Sequence, residues 1–234
     1  MTDISAISAA APSGAEGQII LLTLSVAARA VLFGLPVAII LALALNRLFA
    51  PGRLMLNVLV NLPLMLPPVV TGWLLLLLFG RHGPAGIWLA SHLNVHLPFT
   101  TAGAVLACMV MTLPLMVRAI RQGFDLVDPG LLEAAKTLGA GPVDRFNSIT
   151  LPIAAPGILA GMAIAFTACI GEFGAVITFA ASIPGETQTL PLAIFASLSR
   201  PDGEALAMHL SLYAIALATL GFVASEFAMR KLRR

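Results

Sequence analysis

Apolar residues along this chain gather in long blocks instead of alternating with polar ones. Five blocks, near 19–45, 55–79, 99–120, 151–172 and 205–229, carry few or no charges. Each reaches the roughly 20 residues that a helix needs to cross a hydrocarbon core about 30 Å thick, so five transmembrane helices are predicted. Two further apolar pieces, 173–181 and 190–198, fall short of a span and are separated by Ile183-Pro184-Gly185-Glu186-Thr187. They are expected to be re-entrant or interfacial elements. The fold class that follows is an all-α integral membrane protein, with its long polar interruption at 121–150.

Lys and Arg set the orientation, because positively charged flanks resist translocation. With five spans and an outer N-terminus, the inner segments hold Arg47 and Arg53, then Arg118, Arg121, Lys136 and Arg145, then Arg230, Lys231, Arg233 and Arg234. That places ten of the thirteen basic residues inside. A sixth span through 190–198 would put the basic tail on the opposite side from the other two clusters, so the charge pattern favours five. The layout is then a periplasmic N-terminal tail over 1–18, a transmembrane domain over 19–230 with a cytoplasmic loop at 121–150, and a cytoplasmic tail over 231–234.

Composition supports the bilayer assignment. Apolar residues make up 59% of the chain and charged ones 10%, with mean hydropathy +0.98, against about 25% charged in soluble domains. The first eighteen residues carry no Lys or Arg, unlike the start of a cleaved signal peptide, and the apolar run behind them is too long for a signal h-region. Block 19–45 is therefore expected to be retained. Arg29, expected in its outer third, either snorkels to the outer headgroups or lines a water-filled path. Cys108 and Cys169 fall inside predicted spans, so inert thiols and no disulfide are expected. His92-x-x-x-His96 could set two imidazoles on one helical face, but with no Cys nearby and only a distant acid, a solvated loop is preferred to a metal site.

No enzyme site emerges. The two lysines, Lys136 and Lys231, do not follow a glycine, so a Gly-Lys-Ser/Thr phosphate loop is absent and any ATP used must be bound by another subunit. Nor is there a Gly-x-Ser-x-Gly elbow, a His-Glu-x-x-His motif or a pair of membrane aspartates. No catalytic or metal-binding residue is assigned.

Within 121–150, Asp128 is suited to cap a helix and Pro129 to its first position, where a missing N–H costs nothing. The helix then runs through Leu131, Leu132, Glu133, Ala134, Ala135, Lys136 and Leu138. Gly139 and Gly141 can take positive φ and end it, and Pro142 begins a second short helix through Val143, Asp144, Arg145 and Phe146. Two short helices about a glycine corner are expected to form a compact knob. Patterning leaves two readings open. Either Leu131, Leu132, Ala135 and Leu138 face the membrane domain as an ordinary amphipathic loop helix, or Ala134 and Ala135 admit a partner's groove while Glu133 fixes its orientation.

The spacing Glu133-Ala134-Ala135, three residues, Gly139, nine residues, Ile149-x-Leu151-Pro152 closely resembles the EAA loop of permease subunits of ABC-type importers. Further segments widen the resemblance to nearly the whole chain: Leu62-Pro63-Leu64-Met65-Leu66-Pro67-Pro68, Leu113-Pro114-Leu115-Met116-Val117-Arg118, Gly171-Glu172-Phe173-Gly174-Ala175 and Pro184-Gly185-Glu186-Thr187. Together they look like the molybdate permeases of that family. Tungstate and sulfate permeases share the architecture, and the compact length with the last two segments favours molybdate. The resemblance implies a type I importer-like homodimer in the inner membrane, two cytoplasmic ABC ATPase subunits, and a periplasmic molybdate-binding protein. ATP and Mg would be bound by the ATPase, no cofactor by this chain, and no nucleic acid is implied. The docking residues it implies are Asp128, Glu133, Ala134, Ala135, Thr137, Leu138 and Gly139, and no appended domain is expected after Arg234.

The pathway is marked less clearly. Prolines 36, 63, 67, 68, 114, 152 and 156 interrupt four of the five spans, offering kinks or freed carbonyls. Gly157-x-x-x-Gly161 permits close helix approach, within a subunit or across a dimer axis. Glu172 is an acid at a membrane boundary, costly unless paired or hydrated. The pathway and gate candidates are Pro67, Pro68, Glu172, Phe173 and Gly174, with the glycines beside Glu172 as a hinge. No cluster of Arg within the spans marks an oxyanion cage, so selectivity is expected to reside in the binding protein. The rival classes are a secondary anion transporter or channel, which would show inverted repeats or ion-coupling acids, and a scaffold subunit.

Overall fold

The computed structural model describes residues 14–47 and 49–232; the tail positions 1–13 and 233–234 lie outside the described residues. Among the described residues every regular element is a helix: α1 (Gly14–Arg47), α2 (Ala50–Met65), α3 (Pro68–Phe79), α4 (Pro84–Leu93), α5 (Thr101–Asp125), α6 (Pro129–Thr137), α7 (Pro142–Arg145), α8 (Leu151–Ile170), α9 (Gly174–Ala180), α10 (Leu190–Leu198) and α11 (Glu204–Leu232). Four runs are long and apolar enough to cross a membrane alone: Gly14–Asn46, Thr101–Asp125, Pro142–Ile170 and Glu204–Val223. The pair α2 and α3 is long and apolar enough only when taken together, and it is bent by 114° at its break, the geometry of a broken span or a re-entrant loop. The two short apolar pieces are the short helices α9 and α10.

Small residues hold the long helices together. On α1, Ala27, Ala30, Ala38 and Ala42 are all 0% exposed, and with Gly34 they form one stripe at helical spacing. A Cβ built on Gly34 would lie 3.1 Å from Met109 Cγ of α5. Between α5 and α8 the backbones nearly touch: a Cβ on Gly157 would sit 2.7 Å from Gly123 Cα and 2.8 Å from Ala119 O. The Gly157–Gly161 pair thus packs inside one chain. Lipid tails are as apolar as leucine, so helices associate in a bilayer by such close contact and not by expelling water.

The prolines divide into two kinds. Pro36, Pro63, Pro114 and Pro156 lie inside continuous helices, and Pro152 occupies the first turn of α8. The Pro67-Pro68 pair alone breaks one, since two successive residues lack N–H donors and each forces its predecessor into extended backbone, as at Leu66 (ψ 149°) and Pro67 (ψ 135°).

Arg53, Arg118 and Arg121 lie toward one end of the bundle, where Arg121 Nε of α5 donates to Asn46 Oδ1 of α1 at 3.4 Å. At the far end, the Phe99 N–H donates to Phe179 O (3.2 Å) and Thr101 Oγ1 to Glu186 O (2.7 Å). Glu16 and His209, 3.7 Å apart, join the starts of α1 and α11 there. The loop 183–187 is stitched by buried Thr187, whose Oγ1 accepts from the Ile183 N–H (2.9 Å) and donates to Ala181 O (3.0 Å). Gly185, at φ +78°, makes the turn a side chain would resist.

Three expectations change. The segment taken as an outer loop contains α4, whose Gly86 leaves no room for a Cβ against the carbonyls of Phe79 and Gly80. That helix ends at Asn94, in the left-handed region (φ 51°), so His96 lies beyond it and the two imidazoles do not share a helical face. Because α1 begins by Gly14, Arg29 falls near its middle, exposed on the outer face.

Candidate docking helix and gate

Local chemistry defines α6 at both ends. The Gly130 N–H donates to Asp128 Oδ1 at 2.8 Å, and Pro129 takes the first turn. At the other end the Gly139 N–H donates to Lys136 O and the Ala140 N–H to Ala135 O, both at 3.0 Å. With Gly139 at φ +87°, this is the paired-bond glycine stop that closes helices. Thr137 Oγ1 donates back to Ala134 O (2.7 Å). Gly141 departs from expectation: at φ −69° it is extended and precedes Pro142, so one positive-φ glycine makes the corner.

No residue of α6 is buried. Leu132 and Ala135 are half-covered on the inward side, whereas Glu133, Ala134 and Thr137 are exposed, and Leu138 is 88% exposed. The open alternatives for this helix therefore split by residue: Leu132 and Ala135 face the body, while Leu131 and Leu138 do not.

The second helix of the knob is not a separate piece. From α7 the backbone passes through one π-helical turn, Phe146–Thr150, straight into α8, so Pro142–Ile170 is one run of 29 residues. At 1.5 Å per residue such a run is about 43 Å long. It leads from the glycine corner beside α6 to Glu172.

Among the gate candidates, Pro68 and Gly174 meet at one junction, with Pro67, Glu172 and Phe173 beside them in the chain. Pro67 precedes α3 and Pro68 starts it; a Cβ built on Gly174 would lie 2.6 Å from Pro68 Cβ. One turn on, a Cβ on Gly72 would lie 2.7 Å from Ala175 O. Glycine on both helices lets α3 and α9 lie backbone to backbone. Glu172 Oε1 accepts from the Ala175 N–H at 3.0 Å, so its carboxylate caps α9 where the helix dipole is positive. The Phe173 ring stands 5.2 Å from that of Phe195 on α10. Cys108 and Cys169 are buried free thiols, with Cys169 Sγ donating to Thr112 Oγ1 at 3.7 Å.

One grouping carries no signal in the linear sequence. Arg118 Nε donates to Asn61 Oδ1 at 2.9 Å, across 57 residues, drawing an arginine of α5 onto α2. Asn61 is 5% exposed.

Residues 34–234 match the family described as binding-protein-dependent transport system inner membrane component. The molybdenum transport system permease protein ModB of Escherichia coli is 47% identical over 215 residues, 92% of this chain and 94% of that protein. Its counterpart in Haemophilus influenzae is 42% identical over 213 residues, covering 91% and 93%. Among solved structures, a bacterial ABC transporter involved in the import of the acidic polysaccharide alginate matches with TM-score 0.76 over 95% of this chain and 82% of that one. At 17% identity that likeness speaks for the fold.

Proposed function

The chain belongs to the family of binding-protein-dependent transport system inner membrane components, and from that premise we propose that it is the membrane subunit through which an ABC importer passes molybdate into the cell. The observation that carries the substrate is the 47% identity to a molybdenum permease along nearly the full length of both chains. The bare helix α6 supports the docking assignment: a capped, rigid element of nine residues with nothing buried is suited to seat in a partner's groove.

In this reading the basic end is cytoplasmic, as the distribution of Lys and Arg requires. Residues 1–18 and the start of α1 are periplasmic, 121–150 is the coupling loop, and 231–234 is the cytoplasmic tail. Two copies of the chain form the pathway, a periplasmic binding protein delivers the oxyanion, and two ATPase subunits hold ATP and Mg. Glu133 orients the ATPase on α6, and Ala134, Thr137 and Leu138 form the seat.

Transmission follows from stiffness. When the ATPases close on ATP, α6 moves as a body, and the continuous Pro142–Ile170 run carries its neighbour's tilt to the Glu172 cap. There Gly174 and Gly72 let α9 and α3 slide or part, because backbones in contact have no side chains to unlock. The pathway opens on the other side of the membrane as the junction closes.

Reconstitution with its ATPase and binding protein tests this. ATP-dependent, vanadate-sensitive molybdate uptake is expected, with sulfate a poorer substrate when each binding protein is supplied in turn. Glu133→Lys is expected to abolish ATPase co-purification and uptake; wild-type assembly and transport in that variant would overturn the docking assignment.

A further inference from the structure

Among the described residues, no carboxylate lies within 4 Å of the arginines at the basic end. Arg53, Asn57 and Arg121 line one cavity of about 390 Å³. Behind it, Arg118 Nε holds Asn61 Oδ1 (2.9 Å), and the Asn61 amide donates to Asn57 O (2.7 Å) and Asn57 Oδ1 (3.2 Å). Arg121 Nε donates to Asn46 Oδ1 (3.4 Å). Asn46 also lines the adjoining cavity under α6 with Arg145, whose Nε is buried and has no hydrogen-bond partner among the described residues. Among those residues the ion pair within 4 Å is His209 with Glu16, so none of the four arginines has a carboxylate partner at that distance, the nearest acids in the chain being Asp125, one turn from Arg121, and Asp144, beside Arg145.

Guanidiniums gathered in this way repel one another and favour an anion between them. Each presents a flat fork of donors matched to two oxygens of a tetrahedral oxyanion. Simple snorkelling would send these heads outward to lipid phosphates. Arg118 and Arg121 instead turn their Nε atoms toward asparagines of α2 and α1, and Arg121 is the one of the two that lines the cavity.

We propose that the cavity between Arg53, Asn57 and Arg121 binds a tetrahedral oxyanion dianion of the molybdate and sulfate class, with Arg118 and Asn61 as positioning residues. The site rests on the reading of the chain as an oxyanion permease with its basic end inside, and it is the station the ion occupies before release. Arg53 and Asn57 are left exposed by this chain at its mouth, which keeps the site weak, as release demands.

The test is isothermal titration of sodium molybdate into the permease–ATPase complex in phosphatidylcholine nanodiscs, with Mg-ADP filling the nucleotide sites and no binding protein. Saturable binding displaced by sulfate is expected, weakened about tenfold or more by Arg121→Gln and by Asn57→Leu. Arg29→Gln, which removes a charge elsewhere, should leave it unchanged. Arg121→Lys keeps the charge and loses the fork, so partial binding in that variant distinguishes a lost site from a lost fold. Binding that disappears in phosphatidylglycerol nanodiscs would assign the cavity to a lipid headgroup and overturn a free oxyanion there. Binding indifferent to Arg121→Gln and Asn57→Leu, or none in a complex that transports molybdate, overturns the site. Failure of that wild-type complex to transport molybdate at all would instead break the permease reading.

Discussion

The docking helix α6 and the α3–α9 junction are built from the same small residues and use them in opposite ways. On α6 and just past its end, Ala134 and Gly139 lie bare, and nothing among the described residues covers them. At the junction, Gly72 and Gly174 are so crowded that a single added carbon would meet backbone or proline within 2.7 Å. A small residue therefore means close approach in both places, but the approaching surface belongs to the same chain in one and is absent from it in the other. Stability should depend on the junction and assembly on the helix.

Substitutions at four positions sharpen that contrast, from the largest effect on stability to the smallest. Gly174→Leu pushes Pro68 and Val69 of α3 away from α9 and should cost about 3 kcal/mol, seen as a lowered thermal midpoint of the detergent-purified chain. An unchanged midpoint would show that α3 and α9 are not packed as described. Glu172→Ala removes the α9 cap and should cost about 1 kcal/mol, whereas Glu172→Gln keeps an acceptor and should lose only a few tenths. If Glu172→Gln also leaves uptake and basal ATPase rates untouched, the carboxylate's charge has no part in gating.

Gly139→Ala places a Cβ on a left-handed residue and should cost about 1 kcal/mol locally, fraying α6 more than the bundle. Hydrogen exchange at 135–140 would report it, and equal loss of protection in α5 would contradict a locally held helix. Leu138→Ala should change stability by no more than about 0.5 kcal/mol, since the side chain is 88% exposed. Its expected effect is on ATPase co-purification, and a normal complex would remove Leu138 from the seat.

Much of this was legible from residue order. Apolar blocks of span length, Asp128-Pro129 opening α6 and Gly139 closing it follow from the bilayer's thickness and from rules that act within four or five residues. The local rules fail where a helix continues through a permissible break. Nothing in 142–151 announces that a π-helical turn will merge α7 with α8, because Pro142 and Pro152 both look like fresh starts. The α4 helix was hidden for a related reason: its ten residues are too few for a span and lie among loop-forming glycines.

Sequence alone determined the class of molecule, its long apolar helices and the capped helix Pro129–Thr137, since those depend on transfer of residues into lipid and on hydrogen bonds between near neighbours. The tertiary structure decided which glycines pack against which, why one proline pair among seven prolines breaks a helix, and which arginines share a cavity. Arg53 of α2 and Arg121 of α5 are separated by two helices in the chain yet line one cavity, while hydrogen bonds from Arg118 to Asn61 and from Arg121 to Asn46 tie α5 to α2 and α1. Contacts of that kind depend on how helices cross, and that information is carried by the whole bundle at once.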